Sequence, residues 1–94
     1  MAKEINKFGR RIRPVAGYEG RYGVTDLGEV MSMNGEYLLT PYRGQYVMLS
    51  GKCFRLDYLV ARAFVPNVRM CSELRHKDGD VMNCRADNLE WVDE

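Results

Sequence analysis

Apolar and polar residues alternate in short segments between residues 14 and 39, and turn-forming residues separate these segments. Residues 22–24 and 29–33 have the period of two that is typical of β strands. The dipeptide Asn34-Gly35 follows and predicts a tight hairpin, because both residues accept positive φ. Residues 36–39 then form the returning strand. This part of the chain therefore predicts a small antiparallel sheet.

A second hairpin is predicted further along the chain. Its strands are Tyr46–Leu49 and Lys52–Arg55, and the dipeptide Ser50-Gly51 supplies the turn. The two hairpins together indicate that the first half of the chain is built from β strands.

The pattern changes to a helical one directly after the second hairpin. Apolar residues recur every three to four positions, at Leu56, Leu59, Val60, Ala63 and Phe64. This stripe predicts an amphipathic helix over Leu56–Phe64, and Pro66 ends it.

The C-terminal part predicts a strand, a turn and the start of a helix. Residues 73–77 form the strand and Asp78-Gly79 the turn. Residues 85–91 begin the helix, with Asp87 as N-cap and Glu90 three positions later. The predicted class is α+β, with small antiparallel hairpins, a central helix and a truncated C-terminal β-β-α unit.

Length and composition limit the class of protein. The chain has 94 residues, of which 46% are hydrophobic and 29% charged, so it predicts one folded domain. It contains no apolar run of membrane-spanning length and no secretory signal pattern, which predicts a soluble, cytoplasmic protein without membrane partners. The three cysteines include no C-x-x-C pair, so a zinc site built from Cys71, His76 and Cys84 is a poor match.

Charge is nearly balanced overall but unevenly distributed. The net charge is +1, whereas residues 1–13 hold five basic residues against Glu4, and residues 73–94 hold seven acidic residues against three basic ones. We therefore divide the chain into a basic N-terminal arm, residues 1–13, and a single domain, residues 14–94. Such an arm can bind phosphates without reading sequence, but composition alone favours a solvated terminal segment.

Three blocks of the sequence resemble phage HNH homing endonucleases that carry an N-terminal NUMOD-type motif. Residues 17–30 (GYEGRYGVTDLGEV) resemble the NUMOD-type motif, and residues 59–67 resemble the helix that follows it in the family. The third block, from Arg75 to Trp91, resembles the nuclease core. The resemblance implies NUMOD-like hairpins over residues 14–50 and an HNH-like part over residues 51–94.

The resemblance also implies roles for individual residues. His76 matches the position of the general base of the family, and Asn88 matches that of the Asn that orients it. Arg75 occupies the place of a metal-ligating Asp or Asn, and a guanidinium cannot ligate a cation. The second ligand usually lies beyond the Asn-Leu-x-Trp segment, and the sequence ends at Glu94. Asp57 replaces an exposed His that often opens the family's helix.

We therefore expect no metal site and no cofactor, with His76 and Asn88 as vestigial catalytic residues. Asp78, Asp80 and Asp87 could offer oxygen ligands, but turns and helix caps already explain such residues. Mg²⁺ is expected only if the chain is a working nuclease. The sequence thus predicts that enzymatic activity has been lost.

Three functions stay open. The leading hypothesis is an inactive HNH-like phage or mobile-element protein that binds a protein in the host cell, such as a defence nuclease or CRISPR effector, and inhibits it. The alternatives are a nucleic-acid-binding domain that does not cleave, and a metal-dependent DNA nickase. The candidate binding residues are basic: Arg75, Lys77, Arg10, Arg11 and Arg13.

Overall fold

The computed structural model describes residues 4–7, 9–35, 37–67 and 69–92. Within them the chain forms nine strands and one α-helix, which confirms the α+β class. The strands are β1 (Ile5–Lys7), β2 (Arg10–Pro14), β3 (Tyr22–Thr25), β4 (Val30–Ser32), β5 (Tyr37–Leu38), β6 (Tyr46–Leu49), β7 (Lys52–Arg55), β8 (Glu73–His76) and β9 (Leu89–Val92). The helix α1 (Leu56–Phe64) follows β7, and a 3₁₀ turn (Ala86–Asn88) precedes β9.

The first five strands form an antiparallel meander in the order β1-β2-β3-β4-β5. The predicted hairpin between β4 and β5 is confirmed by the pairing of Ser32 with Tyr37. Its turn differs from the prediction, since neither Asn34 nor Gly35 has a positive φ. The connection is longer than a two-residue turn, so it needs no left-handed residues. Glu36, predicted to begin the returning strand, lies outside the described residues.

The expectation that residues 1–13 form a solvated arm needs correction. Residues 5–7 form β1, and residues 10–13 belong to β2, which continues into the predicted domain. Ile5 pairs with Ile12, and Ile12 is buried in the sheet. The first strand is very short, so its single apolar residue gave no detectable alternation. Residues 1–3 lie outside the described part of the chain.

The second hairpin and the helix are confirmed at their predicted bounds. Strands β6 and β7 pair in antiparallel register, and Ser50 and Gly51 both have positive φ in the turn between them. Helix α1 ends before Val65, followed by Pro66 as predicted. The helix packs its apolar face on the core cluster, which consists of Val15, Val24, Val30, Val47, Leu49, Leu56, Val60, Ala61, Cys84 and Leu89.

The C-terminal segment differs from the prediction. Instead of starting a helix, residues 89–92 form β9, which pairs antiparallel with β8. Leu89 pairs with His76 and Trp91 with Leu74, so apolar side chains alternate along β9 as a strand requires. Asp87 lies inside the 3₁₀ turn rather than at the N-cap position, which Arg85 occupies, and its carboxylate pairs with Arg85 at 3.4 Å. The two strands of the β-β-α unit are therefore β8 and β9.

No helix in the described ranges is long and apolar enough to cross a membrane. Cys84 is buried, Cys71 is half-buried and Cys53 is exposed.

Candidate functional site

His76 ends strand β8 and points into the molecule. Its side chain is only 8% exposed. The ring Nδ1 lies 3.0 Å from the backbone carbonyl oxygen of Asn83, and Nε2 lies 2.9 Å from Oδ2 of Asp57. The loop that follows β8 and the first turn of α1 thus meet at one imidazole.

Asp57 is the second residue of α1 and receives three hydrogen bonds. Arg55 and His76 each donate to Oδ2 at 2.9 Å, and the backbone N–H of Tyr58 donates to Oδ1 at 2.7 Å. Burial by itself raises the pKa of Asp57, but the hydrogen bonds from Arg55 and His76 outweigh burial and hold the pKa below its ordinary value of 3.8. The carboxylate is therefore ionised at neutral pH.

Both partners of the imidazole are hydrogen-bond acceptors. A carbonyl oxygen and an ionised carboxylate have no proton to give, so both contacts are hydrogen bonds only when both ring nitrogens of His76 carry hydrogen. A general base needs a nitrogen lone pair that faces its substrate. In this arrangement His76 presents none.

Asn88 is buried and acts on the loop that follows His76. Its Nδ2 donates to Oδ1 of Asp78 at 3.0 Å and to the carbonyl oxygen of Asn83 at 2.9 Å, and its Oδ1 accepts from the backbone N–H of Asp78 at 3.1 Å. The Asn83 carbonyl is the same atom that faces His76. Asn88 and His76 are thus brought together through this carbonyl.

The acidic residues of the loop are also engaged. Asp78 accepts hydrogen bonds from the side chain of Asn83, the backbone N–H of Asp80 and the side chain of Asn88, and these donors lower its pKa. Asp80 accepts the backbone N–H of Met82 at 3.0 Å. The turn geometry predicted from the sequence therefore accounts for these carboxylates.

A cleft of about 270 Å³ opens beside His76. Its walls come from β6, β7, α1, β8 and the loop before the 3₁₀ turn, through Gln45, Tyr46, Arg55, Asp57, Leu74, His76, Val81 and Cys84. Burial raises the pKa of the Cys84 thiol to about 11, so this wall is neutral. The sequence gave no signal for Gln45 or Tyr46 here. Asp57 did stand out, as a departure from the family pattern at the helix start.

The donor set around His76 does not fit a divalent cation. Mg²⁺ requires oxygen ligands in octahedral geometry. Asp57 already receives three hydrogen bonds, two of them from Arg55 and His76. Among residues 4–7, 9–35, 37–67 and 69–92, no group of three His, Cys, Asp or Glu side chains could hold a metal ion. We therefore derive no chemical step through a metal.

Arg75 lies on the opposite face of β8 from His76. Exposure alternates along the strand, with Glu73 and Arg75 outward and Leu74 and His76 inward. The Arg75 side chain is 64% exposed and pairs with Glu90 across the hairpin. Lys77 is exposed directly after the strand. Arg75, which the resemblance places at a metal-ligand position, is therefore turned away from the imidazole of His76.

The three arginines of the N-terminal segment lie on β2, in a different sheet from His76. Arg10 pairs with Glu29, while Arg11 and Arg13 both pair with Glu4 at 3.0 Å. Arg11 and Arg13 also stack near the ring of Phe64. The three arginines thus pair with two carboxylates of the domain, and the structure does not bring them to the cleft.

The chain is similar in sequence to known endonucleases. The chain is 30% identical over 92 residues to the DNA endonuclease I-HmuI of Bacillus phage SP01, covering 85% of the chain and 51% of that protein. A solved structure, described as DNA binding and cleavage by the HNH homing endonuclease I-HmuI, superposes with a TM-score of 0.63 at 30% identity, covering 87% of this chain and 52% of that one. The chain has an HNH-like fold.

A second relative is an uncharacterised HNH endonuclease of Acanthamoeba polyphaga mimivirus. It is 32% identical over 78 residues, which cover 76% of this chain and 24% of that protein. No protein-family model matches the chain. The chain spans about half the length of the phage relative and about a quarter of the viral one.

Proposed function

We propose that this chain is a phage or mobile-element member of the HNH homing endonucleases that binds nucleic acid in the host cytoplasm and does not cleave it through His76. The observation that carries the proposal is the enclosure of His76 between two acceptors within an HNH-like fold. The division into a NUMOD-like part, residues 14–50, and an HNH-like part, residues 51–94, stays a prediction.

The loss of cleavage follows from what the reaction needs. General base catalysis contributes about 10² to 10⁴ in rate, and a metal ion adds several kcal/mol of transition-state stabilisation. Both ring nitrogens of His76 face acceptor atoms of the protein, and the carboxylates of Asp57 and Asp78 receive hydrogen bonds. Both contributions are therefore missing from the described residues. His76 and Asn88 act as structural residues in this proposal.

Binding to nucleic acid is supported by the relative whose description names DNA binding, and by one surface of this chain. Residues 37–56 contain three basic residues and no acidic one. The outer face of the β6–β7 hairpin, defined by Tyr46, Met48, Cys53 and Arg55, lies within this segment. It borders the cleft through Tyr46 and Arg55. Arg55 already pairs with Asp57, so the attraction for phosphates rests on the other two cations of the segment, Arg43 and Lys52.

The loop before β6 adds an aromatic and a cation to the same segment. Tyr42 is 63% exposed, and the guanidinium of Arg43 lies 5.3 Å from its ring centroid. Exposed aromatic rings and arginines are the side chains on which bases stack and phosphates bind. By contrast, the arginines of β2 are paired with Glu4 and Glu29. We therefore propose Arg43 as a stronger contact than the arginines of β2.

The predicted inhibition of a host defence nuclease or CRISPR effector stays a hypothesis. No contact among the described residues and no relative favours a protein partner over nucleic acid. The proposed contributions of Arg75 and Lys77 to binding likewise await measurement.

The experiment is a fluorescence anisotropy titration with labelled duplex and single-stranded DNA at about 50 mM and about 200 mM salt. We expect salt-sensitive binding, weakened by Arg43→Ala. Arg85→Ala is the matched control, because it removes an equal charge that Asp87 already balances, from a residue outside the proposed surface. Absence of binding at the lower salt concentration refutes the proposal.

Cleavage is tested separately with supercoiled plasmid and Mg²⁺ or Mn²⁺. We expect no nicking by the chain. Nicking that disappears in His76→Ala would show that His76 still acts as a base.

A further inference from the structure

The cleft beside His76 already contains an anion that belongs to the protein. Oδ2 of Asp57 lies 2.9 Å from Arg55 and 2.9 Å from His76. The side chain of Asp57 is only 8% exposed, whereas that of Arg55 is 50% exposed. The carboxylate thus sits at the inner end of the cleft, between a guanidinium and an imidazole.

This carboxylate is held in place by the helix. Its other oxygen, Oδ1, accepts the backbone N–H of Tyr58 at 2.7 Å in the first turn of α1. Arg55 is in turn fixed over the ring of Tyr58, with 4.4 Å between the guanidinium carbon and the ring centroid. Moving Asp57 or Arg55 out of this pair would also break the contact of that residue with Tyr58. The pairing is therefore a property of the folded domain.

The charges that line the cleft depend on this one carboxylate. Among its walls, Asp57 is a carboxylate that is negative at neutral pH, whereas Arg55 is a cation and the thiol of Cys84 is neutral. Without Asp57, two donor-bearing groups would face each other across a space of carboxylate size. Guanidinium and imidazolium groups at such a distance bind oxyanions through charge-assisted hydrogen bonds.

We propose that Asp57 is an internal occupant of an oxyanion site formed by Arg55 and His76, and that it keeps phosphate groups out of the cleft. This inference rests on the proposed function, because it names the residue that keeps a phosphate out of contact with His76. Its test uses inorganic phosphate and no nucleic acid. Failure of either proposal can therefore be recognised by itself.

The test follows the Cε1–H signal of His76 by NMR while inorganic phosphate is added at about pH 6. His76 is the one histidine of the sequence, so its signal needs no assignment. In Asp57→Ala we expect a saturable shift with an affinity about tenfold or more above that of the unmodified chain. Equal affinities in the two proteins, or no binding by a folded Asp57→Ala, overturn the proposal.

Asp87→Ala is the matched control, because it removes the same charge from an exposed side chain that is 73% accessible. We expect it to bind phosphate as weakly as the unmodified chain does. If Asp87→Ala increases the phosphate affinity as much as Asp57→Ala does, the change in net charge explains the effect and the proposed site is refuted.

A measurement on the unmodified chain decides the matter even if Asp57→Ala does not fold. A nitrogen-resolved spectrum at about pH 6 should show a His76 Nε2 proton that exchanges slowly with water, because Asp57 accepts it in a buried contact. Exchange as fast as that of a free imidazole would show that the cleft is open, contrary to the proposal.

Discussion

Asn88→Ala removes the side chain that holds the loop between β8 and β9. Asn88 makes three hydrogen bonds, two to Asp78 and one to the carbonyl oxygen of Asn83, and it is only 8% exposed. An ordinary hydrogen bond contributes about 1 kcal/mol net, so the loss is about 3 kcal/mol. Because a domain of this size is stable by about 5 to 15 kcal/mol, this is a large fraction of the total.

The assay is equilibrium unfolding in urea, followed by tryptophan fluorescence of Trp91, with the slope m compared between variants. Asn83→Ala is the graded control, since it loses a side-chain bond to Asp78 but keeps the carbonyl that His76 and Asn88 use. We expect it to destabilise the chain by about 1 kcal/mol. If Asn88→Ala lowers the free energy of unfolding by no more than Asn83→Ala does, the side-chain amide of Asn88 does not hold the loop between β8 and β9.

The remaining predictions concern packing, pH and salt. Gly28→Ala should lower the melting temperature more than Gly17→Ala does. Both glycines have a φ of +86°, but only at Gly28 would a Cβ lie 2.8 Å from the backbone of Cys84. Equal effects of the two substitutions would exclude this steric explanation. Hydrogen bonding to Arg10 lowers the pKa of Glu29 in the folded chain. The stability that the Glu29 carboxylate contributes is therefore present above the ordinary pKa of 4.5, and it is lost as pH falls through the lowered pKa of the folded state. In urea unfolding measured over a series of pH values, Glu29→Gln should therefore lose less stability at acid pH than the unmodified chain. An unchanged pH profile would contradict a stabilising role of the Glu29 carboxylate. The logarithm of the binding constant for duplex DNA should fall linearly with the logarithm of salt concentration, by about 0.9 per phosphate neutralised, and a flat dependence would contradict phosphate binding.

Local pattern determined the elements that depend on neighbouring residues alone. The helix Leu56–Phe64 follows from its apolar stripe and from Pro66, and the hairpin of β6 and β7 follows from Ser50-Gly51. In each case the side chains that decide the element lie within a few positions of one another. The α+β class follows from these elements.

Pattern was insufficient where pairing partners lie far apart in the chain. Strand β1 exists because Ile5 pairs with Ile12, and three residues carry too little alternation to show it. The segment 85–91 resembled the start of a helix because Asp87 and Glu90 have capping spacing, yet Ala86–Asn88 form a 3₁₀ turn and Leu89–Val92 pair with β8. Long-range pairing therefore overrode local propensity.

The candidate site divides in the same way. The sequence singled out His76 and Asn88 as a pair, and it marked Asp57 as unusual at the helix start. Only the tertiary structure showed that Asp57 meets His76 across 19 positions of sequence, and that one backbone carbonyl serves both His76 and Asn88. Sequence spacing contains no information on such contacts, because they depend on how α1 packs against β8 and β9 in three dimensions. The hydrogen bonds that close the imidazole exist only once that packing has formed.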